Sequence, residues 1–431
     1  MKRGYGIGLV AAAALIVPSS AEAADPAGAL DKADSLLLIV SSALVLFMTL
    51  PGLALFYGGL VRAKNFLSVL MQCFALAALV SILWFLAGYS LVFRGAGAFI
   101  GDLSALGLGG LEPLRAGLTV PENVFALYEM TFAIITPALI VGAIPERVRF
   151  GWFMLFSALW LMLVYAPVAH WIWGGGWLAR RGVLDFAGGL VVHTTAGVAA
   201  LVVAIMIGAR KGFPHAMIPP HAPPMTLIGA GMLWVGWFGF NGGSAMTADQ
   251  SAGAALLATH LAASAAALAW AAAEYLKIGK PTSIGIATGA IAGLATITPA
   301  AGYVSPAGAV AIGISGALVC FTAVLGVKQR FKVDDTLDVF AVHGVGGMLG
   351  SLLLAFFATS ALGGAGLRGR DGAHQLLLQG EAVVAVALWS AAMTVIAARA
   401  AALVMPMRVD AEQEHDGLDL SLHGERAYEF D

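Results

Sequence analysis

At 431 residues, with 60% hydrophobic and 11% charged side chains and a mean hydropathy of +0.88, the chain fits a polytopic membrane protein and no soluble class. A formal charge of −2 and a pI near 6.5 leave no basic domain to neutralise phosphates, which excludes nucleic acid as a partner. Cys73 and Cys320 lie far apart inside apolar stretches, with the spacing of neither a disulfide framework nor a metal site.

Residues 1–23 read as a secretory signal peptide: Lys2 and Arg3, an apolar run from Ile7 to Val17, then Pro18 and Ala21-Glu22-Ala23. Cleavage after Ala23 would leave the N-terminus of a bacterial inner-membrane protein outside the cytoplasm. The alternative, a retained first helix, has an apolar run too short to span. Residues 24–404 then make the transmembrane domain. From Asp34 onward eleven apolar segments are long enough to cross: 34–60, 65–93, 119–144, 150–171, 186–209, 223–243, 252–275, 283–299, 307–330, 336–360 and 377–404. Threaded from outside, the loops destined for the cytoplasm carry thirteen Lys and Arg, among them Arg62, Lys64, Arg147, Arg149, Arg210 and Lys211, against seven on the other face. Residues 405–431 follow as a polar, acidic tail in the cytoplasm.

Five spans precede the loop at 210–222 and five follow it before the last, and an odd count turns the second set upside down. Two pattern matches support such a repeat. Gly52-Leu-Ala-Leu-Phe56-Tyr57-Gly58-Gly59 in the first span aligns with Gly236-Trp-Phe-Gly-Phe240-Asn241-Gly242-Gly243 in the sixth, and the fifth and tenth share an Asp-x7-His spacing, Asp185 to His193 and Asp335 to His343. The expected fold class is therefore all-α polytopic, eleven transmembrane helices with an inverted five-helix repeat plus one extra C-terminal helix. At ~1.5 Å per residue each imidazole lies ~12 Å below its aspartate, near the middle of a hydrocarbon core ~30 Å thick. Entering from opposite faces, the two rings should meet near the midplane, where inverted repeats build transport sites.

A single buried histidine is usually a core residue bonded to a carbonyl. Two at matching depth on apolar helices read as a functional pair, neutral, one ring donating to the other. Two neutral histidines with no third ligand make a poor metal cage, so no metal or cofactor is expected. Asp185 fits an N-cap of the fifth span, with an added electrostatic role near an outer vestibule. In isolation Trp173 reads as an interfacial tryptophan, Phe132 and Phe240 as core packing and Ser244 as a polar helix end.

Together, PGLALFYGGLVRAKN, FAIITPALIVGAIPERVRF, HWIWGGGWL, DFAGGLVVH, GWFGFNGGSA, DDTLDVFAVHGVGG and GLDLSLHGERAY resemble the ammonium transporter (Amt/Rh) family, on the bacterial Amt side, nearly end to end. The resemblance implies a homotrimer whose subunits each carry a pore. It implies that Trp173, Phe132, Tyr128 and Ser244 recruit ammonium outside, that Phe132 and Phe240 form a gate, that His193 and His343 are twin pore histidines, that Trp237 lines the pore, and that Asp185 supports the site. The chain departs from the common pattern at Leu190, Pro145 and Tyr128. The tail segment 417–428 is similar to the family's regulatory segment, implying contact with neighbouring subunits and with PII-type nitrogen regulatory proteins; its plainer alternative is a solvated acidic tail. A membrane enzyme is disfavoured by the absence of a nucleophile or cofactor motif beside the histidines. A receptor that binds ammonium without conducting it is the other class left open.

Overall fold

The computed structural model describes residues 29–215 and 219–428, so the stretch read as a signal peptide lies outside the described residues. Among the described residues the architecture is helical, with no strand and one isolated backbone bridge, Val148 to Arg408. The long helices, in chain order, are α1 (Lys32–Leu60), α2 (Ala63–Phe93), α3 (Glu122–Ala143), α4 (Phe150–Arg181, interrupted at 173–176), α5 (Gly189–Ile207), α6 (Pro223–Trp237, continued by Phe238–Gly242), α7 (Gln250–Ile278), α8 (Ser283–Ala300), α9 (Pro306–Arg330), α10 (Phe340–Phe357) and α11 (Gly372–Val404). Ten of them are long and apolar enough to cross a membrane. The exception is α6, helical throughout its predicted span but diluted by Pro223, Pro224, Asn241 and several glycines.

A bilayer offers the backbone no hydrogen-bond partner, so each crossing segment must close its own ladder as a helix. The outer faces are correspondingly apolar: Leu268, Leu276, Leu377 and Leu403 stand exposed, Leu403 by 90%. In water such a surface would drive association; against acyl chains it is solvated. The centre is built by α3, α5 and α8, with 83%, 78% and 78% of their central residues enclosed, against 33% for α11.

Two local features position the site. First, several helices take a π-helical turn, which inserts one residue into the ladder and redirects the side chains there. Such turns occur at Met48–Leu53 in α1, Gly189–Thr194 in α5, Phe238–Gly242 after α6 and Phe340–Gly344 in α10. His193, Phe240 and His343 each sit within one. Second, α5 and α10 cross on bare backbone. A Cβ on Gly197 would stand 2.2 Å from the Gly344 nitrogen, and one on Gly347 would stand 2.5 Å from the Gly189 oxygen and 2.7 Å from the His193 Cβ. Small residues at a crossing are how membrane helices approach closely.

Part of the tail docks on the helices while its acidic face stays exposed. It forms α12 (Ala411–Asp416) and α13 (Leu418–His423), and both Leu418 and Asp419 are buried. The Asp419 carboxylate accepts from the Leu67 and Ser68 backbone N–H groups, at 3.0 and 2.7 Å, capping the start of α2's regular helix, while the Leu418 N–H donates to Asn65 Oδ1 at 2.8 Å. Beside it Arg147, fully buried, donates to the carbonyls of Ala143, Pro145, Gly208 and Asp334 and to Thr336 Oγ1. Loss of hydration pulls its guanidinium pKa down to about 10, with Asp334 opposing. Arg210 grips Asp334 through Nε at 2.9 Å and Nη2 at 3.0 Å.

Candidate functional site

Helix α3 supplies one wall. Phe125, Glu129 and Phe132 recur at i, i+4 and i+7 and line one cavity of about 380 Å³ with Trp173, Asp185, Ser244, Arg115 and Arg368. Trp173 ends the regular part of α4, and its indole Nε1–H donates to the Asp185 carbonyl at 3.0 Å, fixing the ring over the cavity. Phe132 meets Trp173 edge-on, with centroids 5.7 Å apart and planes at 86°. Beneath, Phe132 and Phe240 close on each other at 4.4 Å.

Tyr128 lies apart from that surface. It is fully buried behind Phe132, with centroids 5.0 Å apart, and is no part of the cavity lining. Its hydroxyl is within 3.0 Å of the Gly239 carbonyl and 2.9 Å of the Phe240 carbonyl, and 3.2 Å from Ser244 Oγ, so its proton holds down the end of the α6 π-turn. Ser244 Oγ–H also donates to the Phe240 carbonyl, at 2.9 Å, which leaves the serine oxygen as an acceptor facing the cavity.

Below the phenylalanine pair the lining becomes apolar. His193 stacks at 5.9 Å from Phe240, 5.5 Å from Trp237 and 5.2 Å from His343, all within 25° of parallel. Trp237 with Met48, Leu53, Phe56, Ile135 and Leu139 encloses, around the two imidazoles, a chamber of only about 10 Å³. The indole of Trp237 is held by Thr298 Oγ1 at 2.9 Å. The two histidine Nδ1 atoms are 3.2 Å apart. One must carry the hydrogen and the other accept it, so one ring presents a bare Nε2 and the other an Nε2–H. Nε2 of His193 is buried with no protein partner.

Asp185 sits at the start of α5, 6% exposed, and accepts four backbone N–H groups: Gly188 and Gly189 on Oδ1 at 3.0 and 2.6 Å, Leu190 and Val191 on Oδ2 at 2.9 and 3.1 Å. Those are the donors a helix start leaves unpaired. Gly188 takes φ 111°, which a side chain would resist and which lets the chain fold back under the carboxylate. Asp335 does the same for α10, accepting from Val339 at 3.1 Å and Phe340 at 2.7 Å. Leu190 is fully buried in the α5 π-turn, and Pro145 lends its carbonyl to Arg147 at 3.3 Å.

One residue of the outer cavity escaped the sequence reading. Glu129 is 4% exposed, and its Oε2 is buried without a hydrogen-bond partner. The available signal was an acid inside an apolar span, the kind of residue that is expensive in a membrane unless it has work to do. Among the described residues no group of three or more His, Cys, Asp and Glu comes together as a metal cage. The arrangement is a polar, aromatic-walled antechamber, a two-ring constriction and a narrow apolar bore with two imidazoles on its wall. A bare cation would lose its hydration there, at a cost on the order of tens of kcal/mol in the idealised limit, a cost that a small neutral molecule would not meet.

Comparison with known proteins gives one consistent answer. The model of the Ammonium Transporter Family matches residues 36–428. An ammonium transporter of Bacillus subtilis (strain 168) is 45% identical over 400 residues, covering 92% of this chain and 98% of that one. The crystal structure of Candida albicans Mep2 superposes with a TM-score of 0.81 at 36% identity, covering 89% of this chain and 88% of that one. A structure described as a Sensor Amt Protein superposes with a TM-score of 0.85 at 30% identity, covering 90% and 98%.

Proposed function

The chain belongs to the ammonium transporter family, and from that premise we propose that this multi-pass membrane protein takes ammonium from the outer cavity and conducts it inward as ammonia. The observation that carries the reading is the unbroken run of ring contacts from Trp173 through Phe132 and Phe240 to His193 and His343, joining a polar cavity to an apolar chamber.

Trp173 and Phe132 offer π-faces worth ~0.5–2 kcal/mol each to a cation, and the Ser244 oxygen accepts one of its N–H bonds. These groups concentrate ammonium without repaying the hydration it would lose further in. The ion therefore gives up a proton at the Phe132–Phe240 constriction, and ammonia enters the bore. There ammonia, three donors and one lone pair, can bond to whichever Nε2 faces it, the bare one or the protonated one. The roles exchange when the bare Nε2 takes up a proton, the shared hydrogen passes between the Nδ1 atoms and the other ring releases its Nε2 proton, which gives the pair a route for passing a proton as well as a surface for ammonia. Potassium has no proton to lose and stops at the constriction.

The wider architecture belongs to the same proposal. Helix α6 is the eleventh crossing: its 15 residues and the five of the following π-turn reach about 30 Å at ~1.5 Å per residue. An inverted repeat of α1–α5 and α6–α10 is supported by π-turns in α1 and at the end of α6, by those in α5 and α10, and by the matching Asp185 and Asp335 caps. The family premise extends to a homotrimer in the bacterial inner membrane with the N-terminus outside after removal of residues 1–23, the tail in the cytoplasm, and a PII-type regulator at that face.

Proteoliposomes holding the purified protein test the reading. An inward ammonium gradient should alkalinise the lumen as arriving ammonia takes up protons, and a potassium gradient should move no comparable charge. Potassium currents equal to those with ammonium would refute the deprotonation step, and binding without any lumenal pH change would favour a receptor.

A further inference from the structure

The cavity above the constriction holds a second acid besides Asp185, and it has no hydrogen-bond partner on one oxygen. Glu129 lies on α3 three residues before Phe132 and shares its face, so it lines the same 380 Å³ cavity as Trp173 and Ser244. It is 4% exposed, and Oε2 is buried with no hydrogen-bond donor against it. The other acids near this end are occupied: Glu122 is held by Arg94 at 2.8 Å and Arg115 at 3.0 Å, and Asp185 by four backbone N–H groups. A buried carboxylate oxygen with no partner is costly, and it is relieved by a cation or by a proton.

We propose that Glu129 is the group that receives the proton of ammonium at the outer face of the Phe132–Phe240 constriction. This rests on the transport reading above and adds to it the identity of the acceptor. An N–H bond of ammonium breaks, its electron pair stays on nitrogen, and an O–H bond forms on the carboxylate. A positive and a negative group become two neutral ones, ammonia and a carboxylic acid, at the entrance to the apolar bore, where a cation would lose its hydration. Ammonia passes between the phenylalanine rings, and the acid then releases its proton to a water of the outer cavity, which restores the carboxylate.

The groups around Glu129 fit an acceptor. Arg115, which lies over Phe125 at 4.9 Å, acts on it from the outer loop. Tyr128 on α3 and Tyr165 on α4 lie within reach of its charge, and the Tyr165 hydroxyl is itself buried without a partner. Asp185, Tyr303 and Arg368 line the same cavity, Asp34 stands on α1, which packs against α3, and His193 on α5 lies beneath Phe240. Of the acids on the cavity wall, Glu129 is the one with a buried oxygen left open.

The test is stopped-flow alkalinisation of proteoliposomes carrying wild type, Glu129→Gln or Glu129→Asp, at fixed ammonium ion concentration across acidic to neutral external pH. The wild-type rate should fall on acidification as the acceptor is protonated. Glu129→Gln should be slower by at least about tenfold at neutral pH, flat across the acid range, and no less heat-stable than wild type, since the amide is isosteric with the carboxyl group and leaves the packing unchanged. Glu129→Asp should keep the acid limb at an intermediate rate. A Glu129→Gln protein within twofold of wild type, or slower with its acid limb intact, or slower and less heat-stable, overturns the assignment. A wild type that moves no ammonium overturns the transport reading itself, so the two failures are separable.

Discussion

Gly197 of α5 and Gly344 of α10 face each other so closely that a single methyl on Gly197 would fall 2.2 Å from the Gly344 nitrogen. That contact sets the distance between the helices carrying His193 and His343, and with it the 3.2 Å separation of their Nδ1 atoms. Gly197→Ala should force the helices apart, cost about 1–3 kcal/mol of stability, and break the shared hydrogen bond. Thermal unfolding in detergent together with ammonium flux measures both effects. An alanine variant with wild-type flux and an unchanged midpoint would show that the crossing has slack.

Asp185 satisfies four N–H groups where Asp335 satisfies two. Asparagine keeps one acceptor oxygen and turns an NH2 toward donors. Asp185→Asn should therefore destabilise by on the order of 3 kcal/mol, and Asp335→Asn by roughly half of that. The order of the two unfolding midpoints is the decisive observation, and equal losses would mean that the extra two bonds carry no weight.

Trp173 reaches the cavity with its ring while its indole N–H is spent on the Asp185 carbonyl. Trp173→Leu should weaken apparent ammonium affinity by a factor of about 2 to 30, the equivalent of ~0.5–2 kcal/mol of cation–π attraction. Half-saturation of transport would report it, with methyl-free ammonium as the only substrate.

Burial pushes the Asp334 carboxyl upward, but the hydrogen bonds and charge of Arg210, with Arg147 behind, hold it below the usual aspartate range. A folded-state pKa depressed in this way contributes stability that is complete above the unfolded value, roughly pH 4, and lost as pH falls through the folded one. Asp334→Asn should cost on the order of 3 kcal/mol at neutral pH and flatten the acid end of the stability profile. Unfolding midpoints taken from pH 7 down to pH 3 for both proteins would reveal a parallel profile if the pair were inert.

Asp419 caps α2 from the tail, so Asp419→Ala should remove about 1 kcal/mol of docking and release α12 and α13. Hydrogen exchange at Leu67, Ser68 and the tail amides should accelerate together; exchange confined to the tail would mean that water replaces the cap unnoticed.

The crossing helices were legible because hydrocarbon leaves a sequence few options: a long apolar run must be a helix, and the predicted 150–171 and 283–299 match α4 and α8 to within a few residues apart from α4's extension past Trp173. The Asp-x7-His spacing likewise pointed to rings that the structure brings together. Three things stayed hidden. A π-turn has no residue signature, so the redirection of Phe240 and His343 could not be read in advance. The acidic composition of 405–431 suggests hydration, yet Leu418 and Asp419 are buried, because docking depends on the Asn65 and Ser68 groups contributed by a distant turn. The hydroxyl of Tyr128, expected at the mouth, is turned inward to backbone carbonyls that only the folded α6 provides.

The chamber beside the imidazoles, about 10 Å³, has room for one water-sized occupant. On the proposed route two ammonia molecules meeting there could not exchange places, so movement along it would be single file. Isotopically marked nitrogen supplied on one side should therefore be swept back by a net flow from the other, and its exchange at equilibrium should lag behind the net permeability measured with a gradient.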